Sequence, residues 1–217
     1  ASISEHPPHD VQIAVAEAEG QVVVLEAETG AGKTEAALYR FARLFAEGKV
    51  DGLYFALPTR VAASSLYLRD EKAVARMFPE GARPTVLLAV PGYAKADGAI
   101  AKMLPDFNVQ WDDDPDDAQR RARWAAEHPK RFLAGTIAVG TIDQALLGGI
   151  QVKHAHLRSA CLLRHLLVVD EVHASDAYME RLLTSLLQQH SRAGGHALLL
   201  SATLGAAART RLLGRPD

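Results

Sequence analysis

From residue 22 onward the chain alternates short apolar runs with stretches of helical period. The segments VVVLEA (22–27), GLYFAL (52–57), TVLLAV (85–90), IAVG (137–140), HLLVVDE (165–171) and HALLLSAT (196–203) are brief and rich in branched side chains, which predicts buried strands. Between them, 33–46 repeats Ala37, Leu38, Phe41, Leu44 and Phe45 at helical spacing and stops at Gly48. Helices are also predicted over 61–78, 142–148 and about 177–190, and Pro58 closes the second strand. Strands recurring between helices make βαβ units, so the expected fold is α/β: a mostly parallel sheet covered on both faces, a single-domain three-layer sandwich. Residues 91–130 break this rhythm with Pro91, Gly92, Gly98, Pro105 and the run WDDDPDD (111–117), and read as an insertion of loops with one amphipathic helix. Its aspartates read as a solvated acidic turn, because no spaced cation loop is present. Residues 1–10 are polar and proline-broken and read as a loosely held arm.

Composition narrows this picture without changing it. A chain of 217 residues suffices for one such domain and not for a second of similar size. The net charge of −2 excludes a globally basic nucleic-acid binder, so any grip on phosphodiester must come from a local patch. Cys161 is the only cysteine, which excludes a disulfide framework and a cysteine metal site and leaves it as a small core residue. Neither a membrane-length apolar stretch nor a signal peptide is visible, and the expected compartment is the cytoplasm.

The chemistry begins at EAETGAGKTEAAL (26–38), a glycine-rich turn between a predicted strand and a predicted helix. That is the setting in which backbone amides cradle phosphates at a helix N-terminus. Thr29, Gly30, Ala31, Gly32, Lys33 and Thr34 are the expected nucleotide-binding residues. Lys33 would neutralise phosphate oxygens and the Thr34 hydroxyl would ligate Mg²⁺. Ala27 stands where the strict pattern wants glycine, which is tolerable if its φ is negative. The strand of VVDEVH (168–173) delivers Asp170 and Glu171 at its C-terminal end. Asp170 would hold the metal, largely through water, and Glu171 would orient and deprotonate the attacking water. A pair of helix-capping carboxylates is the alternative for that motif taken alone. In LLLSATL (198–204), Ser201 and Thr203 can couple the nucleotide site to the rest of the fold, with His173 as their partner, or Thr203 can simply cap a helix.

Taken in order, AETGAGKT, ALPTR (56–60), VGTIDQ (139–144), DEVH (170–173) and SAT (201–203) resemble the first-lobe motifs of superfamily 2 helicases. The sequence VGTIDQALL, then VKHAHLR, then LLVVDEVHASDAYMERLLTSLL narrows the resemblance to the CRISPR-associated helicase of type I immune systems, over about residues 8–204. Two positions depart from that family: Ser175 stands where tyrosine is usual and Glu28 where proline is commoner. The resemblance implies a P-loop NTPase with a RecA-like fold, ATP and Mg²⁺ as ligands, single-stranded DNA as partner, and recruitment by the Cascade surveillance complex. It implies that Gln12, with Pro8, reads adenine. It also implies that Thr59, Arg60, Gly140, Thr141 and Asp143 lie on the strand-binding face, although a turn at Pro58 and helix capping by Thr141 account for those residues as well. Lys153, His154, His156 and Arg158 form a basic cluster that either joins this face or is a solvated helix side.

The C-terminal LGAAARTRLLGRPD reads as one short helix and a tail, with Arg209, Arg211 and Arg215 at an exposed helix end. The expectation is therefore one RecA-like lobe over 1–217, the first of two, with the second lobe and the family's nuclease domain absent. Such a chain would bind ATP and hydrolyse it only with a second lobe. The competing readings are a nucleotide-sensing or partner-docking module that never turns over, and an RNA helicase lobe.

Overall fold

Every strand expected from an apolar run forms, and the six lie side by side. The computed structural model describes residues 3, 7–79, 82–91, 95–96, 99–103, 109–111, 117–128, 131–148, 155–172 and 177–213. Along the chain come α1 (Asp10–Glu17), β1 (Val22–Glu26), α2 (Lys33–Ala46), β2 (Gly52–Leu57), α3 (Arg60–Met77), β3 (Val86–Ala89), β4 (Lys95–Ala96), β5 (Ala99–Met103) and β6 (Val109–Trp111). There follow α4 (Asp117–Ala126), β7 (Ile137–Thr141), α5 (Ile142–Leu146), α6 (Ala155–Leu163), β8 (His165–Val169), α7 (Ala177–Arg192), β9 (His196–Ser201) and α8 (Ala206–Leu213). The sheet runs β1-β9-β8-β2-β7-β3-β4-β5-β6. Its first six strands pair in parallel, and β4, β5 and β6 continue it antiparallel.

The apolar runs lack alternation because both faces of the sheet are covered. Leu53, Phe55 and Leu57 of β2 face a core that holds Leu38 and Phe41 of α2 and Leu66 and Val74 of α3. Tyr54 and Ala56 face the opposite core, with Leu146, Leu162, Leu183 and Leu187. Strands β8 and β9 divide their residues between the two cores in the same way, which is the period of two expected of a strand. The result is the α/β three-layer sandwich expected from the pattern.

The segment after β3 differs from the expectation. It contains α4, as predicted, but also the three strands β4, β5 and β6 that extend the sheet. Two of them are only two or three residues long, too short to leave a period in the sequence. The first helix was also not expected. Its anchor is Arg40 on α2, 1% exposed, which donates from Nη1 to the carbonyls of Val15 (3.0 Å) and Ala18 (2.8 Å) and from Nη2 to that of Gly20 (2.9 Å). The guanidinium thus satisfies carbonyls at and beyond the C-terminal end of α1, where a cation is favoured. Burial pushes its pKa down, yet an arginine remains charged.

Asp70, on the inner face of α3, is fully buried, and neither carboxylate oxygen has a hydrogen-bond partner among the described residues. Burial therefore pushes its pKa up to about 8. No helix among the described residues is long and apolar enough to cross a membrane.

Candidate functional site

Parallel strands end on one side of the sheet, and the expected nucleotide residues meet there. Strand β1 leads into the glycine-rich turn, and β8, separated from β1 only by β9, leads into Asp170 and Glu171. Gly30 (φ +88°) and Gly32 (φ +76°) take left-handed conformations that favour glycine, and Gly32 is the N-cap of α2. A Cβ on Gly32 would collide with the Gln12 amide. Glu171 is the only non-glycine described residue with a positive φ, so Ala27 keeps the ordinary backbone its methyl group requires. The Ala27 N–H donates to the Ser201 carbonyl at 3.1 Å, tying the turn to β9.

A cleft of about 440 Å³ brings Thr29, Gly30, Ala31, Gly32, Lys33 and Thr34 together with Gln12, Asp170 and Glu171. That volume lies within the range of small-molecule sites. The Lys33 ammonium is buried and has no hydrogen-bond partner among the described residues. Its nearest counter-charge is Glu171 Oε1 at 3.9 Å, beyond hydrogen-bond reach. A buried cation with unmet donors in an open polar cleft is a receptor for an anion. Next to it, the Asp170 N–H donates to the Ala56 carbonyl at 2.9 Å, and the Glu171 N–H donates to Asp170 Oδ1 at 3.0 Å. Glu171 itself has φ +55°, a conformation that costs about 1–3 kcal/mol in a non-glycine residue. This left-handed turn follows Asp170 at once, so the two neighbouring carboxylates escape strand alternation and both line the cleft.

Gln12 is buried and braced. Its Oε1 accepts from the His9 N–H at 3.0 Å, and its Nε2 donates to the Gly32 carbonyl at 3.3 Å. The residue implied to read a base thus also holds the phosphate-loop backbone. Thr34 and Asp170 share the cleft and are oxygen donors that could hold a divalent cation together with water. Among the described residues no group of three His, Cys, Asp or Glu could hold a metal by itself.

The residues implied for strand binding form a second group, outside the cleft but on the same side of the sheet. β2 and β7 are neighbours, with Leu57 in register with Thr141. Thr59 caps α3, its hydroxyl accepting from the Ala62 N–H at 3.1 Å, and Arg60 begins that helix exposed. Gly140 packs so closely that a Cβ would meet the Tyr54 hydroxyl and the Ala89 carbonyl. Thr141 stands at the N-cap of α5, but its hydroxyl makes no capping bond, and its carbonyl accepts from the Tyr54 hydroxyl at 2.9 Å. Asp143 is exposed on α5.

Ser201 is fully buried at the end of β9, and Thr203 is exposed just beyond it. His173 lies outside the described residues, as do Lys153, His154, Ser175 and Arg215. The basic cluster is corrected at Arg158: α6 turns this side chain inward, where it is buried and its pKa is pushed down by desolvation, while His156 stays exposed. At the C-terminal helix, Arg209 pairs with Glu26 at 3.1 Å and Arg211 with Glu180 at 2.6 Å, so both are engaged within the fold. The sequence reading missed Pro7, His9, Glu35 and Arg69, which also line the cleft. Glu35 could have been found from its place directly after Thr34; Arg69, midway along α3, carries no local signal.

The DEAD/DEAH box helicase family matches residues 9–211. The chain is 37% identical over 199 residues to the CRISPR-associated endonuclease/helicase Cas3 of Thermus thermophilus. It is 33% identical over 192 residues to the CRISPR-associated endonuclease/helicase Cas3 of Escherichia coli (strain K12). Each alignment covers 88% of this chain and 21% of the relative, so the chain spans about a fifth of the length of these curated relatives. Among solved structures, T. fusca Cas3-ATP matches with a TM-score of 0.74 at 31% identity, over 98% of this chain and 24% of that one. The sheet order, the glycine-rich turn and these matches agree: the chain belongs to the DEAD/DEAH box helicase family and resembles the CRISPR-associated Cas3 helicases in sequence and in its RecA-like fold.

Proposed function

We propose that this chain is the first RecA-like lobe of an ATP-dependent single-stranded DNA translocase of CRISPR type I antiviral defence, holding Mg-ATP in the cleft and turning it over with a second lobe. One observation carries the reading: the Lys33 ammonium is buried, without a hydrogen bond among the described residues, in a cleft that Thr34, Asp170 and Glu171 also line. The existence of T. fusca Cas3-ATP, Cas3-ADP and Cas3-AMPPNP structures supports a nucleotide there. A CRISPR RNA-guided surveillance complex in a pre-nicking state, 27% identical over 97% of this chain with a TM-score of 0.62, supports Cascade as the partner.

In this reading the amides of residues 30–34 and the Lys33 ammonium bind the phosphate tail, and Gln12 holds the base end beside the loop. The Thr34 hydroxyl and Asp170 would hold a magnesium ion, which would supply charge neutralisation. Lys33 transfers its attraction from Glu171 to phosphate, leaving Glu171 to orient a water molecule and accept its proton. Thr59, Arg60, Gly140, Thr141 and Asp143 grip phosphodiester without reading bases. Ser201 and Thr203, with His173, relay the state of the site. Arginines from the second lobe would supply about three to five orders of magnitude in rate, so the chain alone is weakly active or inactive.

The test is steady-state ATP hydrolysis with Mg²⁺, with and without single-stranded DNA, alongside a nucleotide-binding titration. Binding with negligible turnover is expected. DNA-stimulated turnover by this chain alone would refute the need for a second lobe. Comparing strands with and without 2′-hydroxyls separates DNA from RNA as the track.

A further inference from the structure

We infer that Arg69 is a nucleotide-contacting residue, paired with Glu35 and transferred to the ligand's anionic oxygens when a nucleoside triphosphate binds; the inference rests on the nucleotide reading above. Arg69 belongs to α3, away from the phosphate loop in sequence, yet its side chain lines the same cleft as Lys33 and Thr34. Lys33 and Arg69 are the only lysine or arginine side chains that line the cleft among the described residues.

Two features make the present partner of Arg69 replaceable. Its Nη2 meets Glu35 Oε1 at 3.2 Å, with the side chains 59% and 28% exposed. An ion pair that wet is weak, because water screens the charges and two long side chains must be held in one geometry. Glu35, for its part, lies in the first turn of α2, and its Oε2 stands 3.7 Å from the point where a Gly32 Cβ would be. The carboxylate therefore leans back over the phosphate loop, in the field of a helix N-terminus that favours an anion. Glu35 is thus an anion beside the glycine-rich turn, paired with Arg69. An entering triphosphate brings like charge beside Glu35 and offers Arg69 a stronger, multiply charged partner. A smaller pocket of about 150 Å³ adjoins the cleft and shares Thr34, Glu35 and Arg69 with it, which leaves both side chains room to change places.

Calorimetric titration of Mg-ATP into the full chain and its variants tests this. Arg69→Ala should raise Kd about tenfold, the effect of losing one charge-assisted contact at a partly exposed site. Arg69→Lys should recover part of that loss. Glu35→Gln should lower Kd about threefold, because it removes the competing anion and frees Arg69. Opposite signs are the signature, since a purely structural ion pair would make both substitutions act alike. Thermal unfolding of each variant verifies the fold, and the exposure of both side chains makes them tolerant of change. If the wild type binds and Lys33→Ala does not, while Arg69→Ala and Glu35→Gln either stay within about twofold or weaken binding equally, the inference is overturned and the nucleotide reading stands. If the folded wild type binds no nucleotide, that reading fails and takes the inference with it.

Discussion

Replacing Asp70 with asparagine should make the protein more stable near pH 7, with an advantage that grows as the pH rises from 4 towards 8. Asp70 is fully buried with both oxygens unpartnered among the described residues, and its pKa is pushed from an ordinary 3.8 to about 8. The folded state therefore holds the Asp70 proton more tightly than the unfolded chain does. The contribution to stability is complete below pH 4, declines as the pH climbs through the interval from 4 to 8, and is lost above it. At pH 7 the loss is about 4 kcal/mol, at 1.36 kcal/mol per pH unit, a large share of an ordinary folding free energy. Asparagine keeps the shape and cannot ionise, although its amide adds a pH-independent cost of about 1–3 kcal/mol if it too lacks a partner. Urea unfolding of both proteins between pH 4 and 9 measures the difference. His165 and His190, whose pKa values burial pushes down, titrate in both proteins and cancel. A difference that stays flat within about 0.5 kcal/mol from pH 5 to 8 would refute the reasoning, because Asp70 would then be solvated or paired and ionised throughout.

Lys33→Ala should abolish nucleotide binding, read by titration; unchanged affinity would remove the phosphate-loop assignment. Glu171→Gln should retain binding and stop hydrolysis in the complete two-lobed motor, and sustained turnover there would rule out its role with water. Tyr54→Phe removes the bond to the Thr141 carbonyl and should cost about 0.5–1.5 kcal/mol in denaturant unfolding. Arg40→Met strips the carbonyls of Val15, Ala18 and Gly20 of their donor and should destabilise the fold by about 3 kcal/mol or more. In the same variant, amide exchange should quicken first in α1.

The six parallel strands were legible because each is a continuous apolar run covered on both faces, and the positions of Lys33 after the turn that follows β1 and of Asp170 and Glu171 just beyond β8 followed from them. What stayed hidden depends on contacts between distant residues. Arg40 reads as an ordinary surface position on an amphipathic helix, and only the carbonyls of α1 explain its burial. Arg158 looked like part of a basic surface because its neighbours in sequence are basic, whereas the turn of α6 decides which side faces the core. Strands β4 and β6 are too short to carry a period. Arg69 reaches the cleft through the approach of α3 to α2, which no local pattern records.

Because β9 intervenes between β1 and β8, the sheet itself sets a fixed gauge across the cleft. Neighbouring strands lie about 4.8 Å apart, so two steps put about 10 Å between the strand that ends in the glycine-rich turn and the strand that ends in Asp170. That interval is set by backbone hydrogen bonds, so side-chain substitutions leave it almost unchanged. The side chains of Lys33 and Glu171 narrow that interval to 3.9 Å, so side chains, not backbone, bring the two strand ends within reach of each other. Ser201, buried at the end of that middle strand with its carbonyl already holding Ala27, marks the halfway point of the ruler.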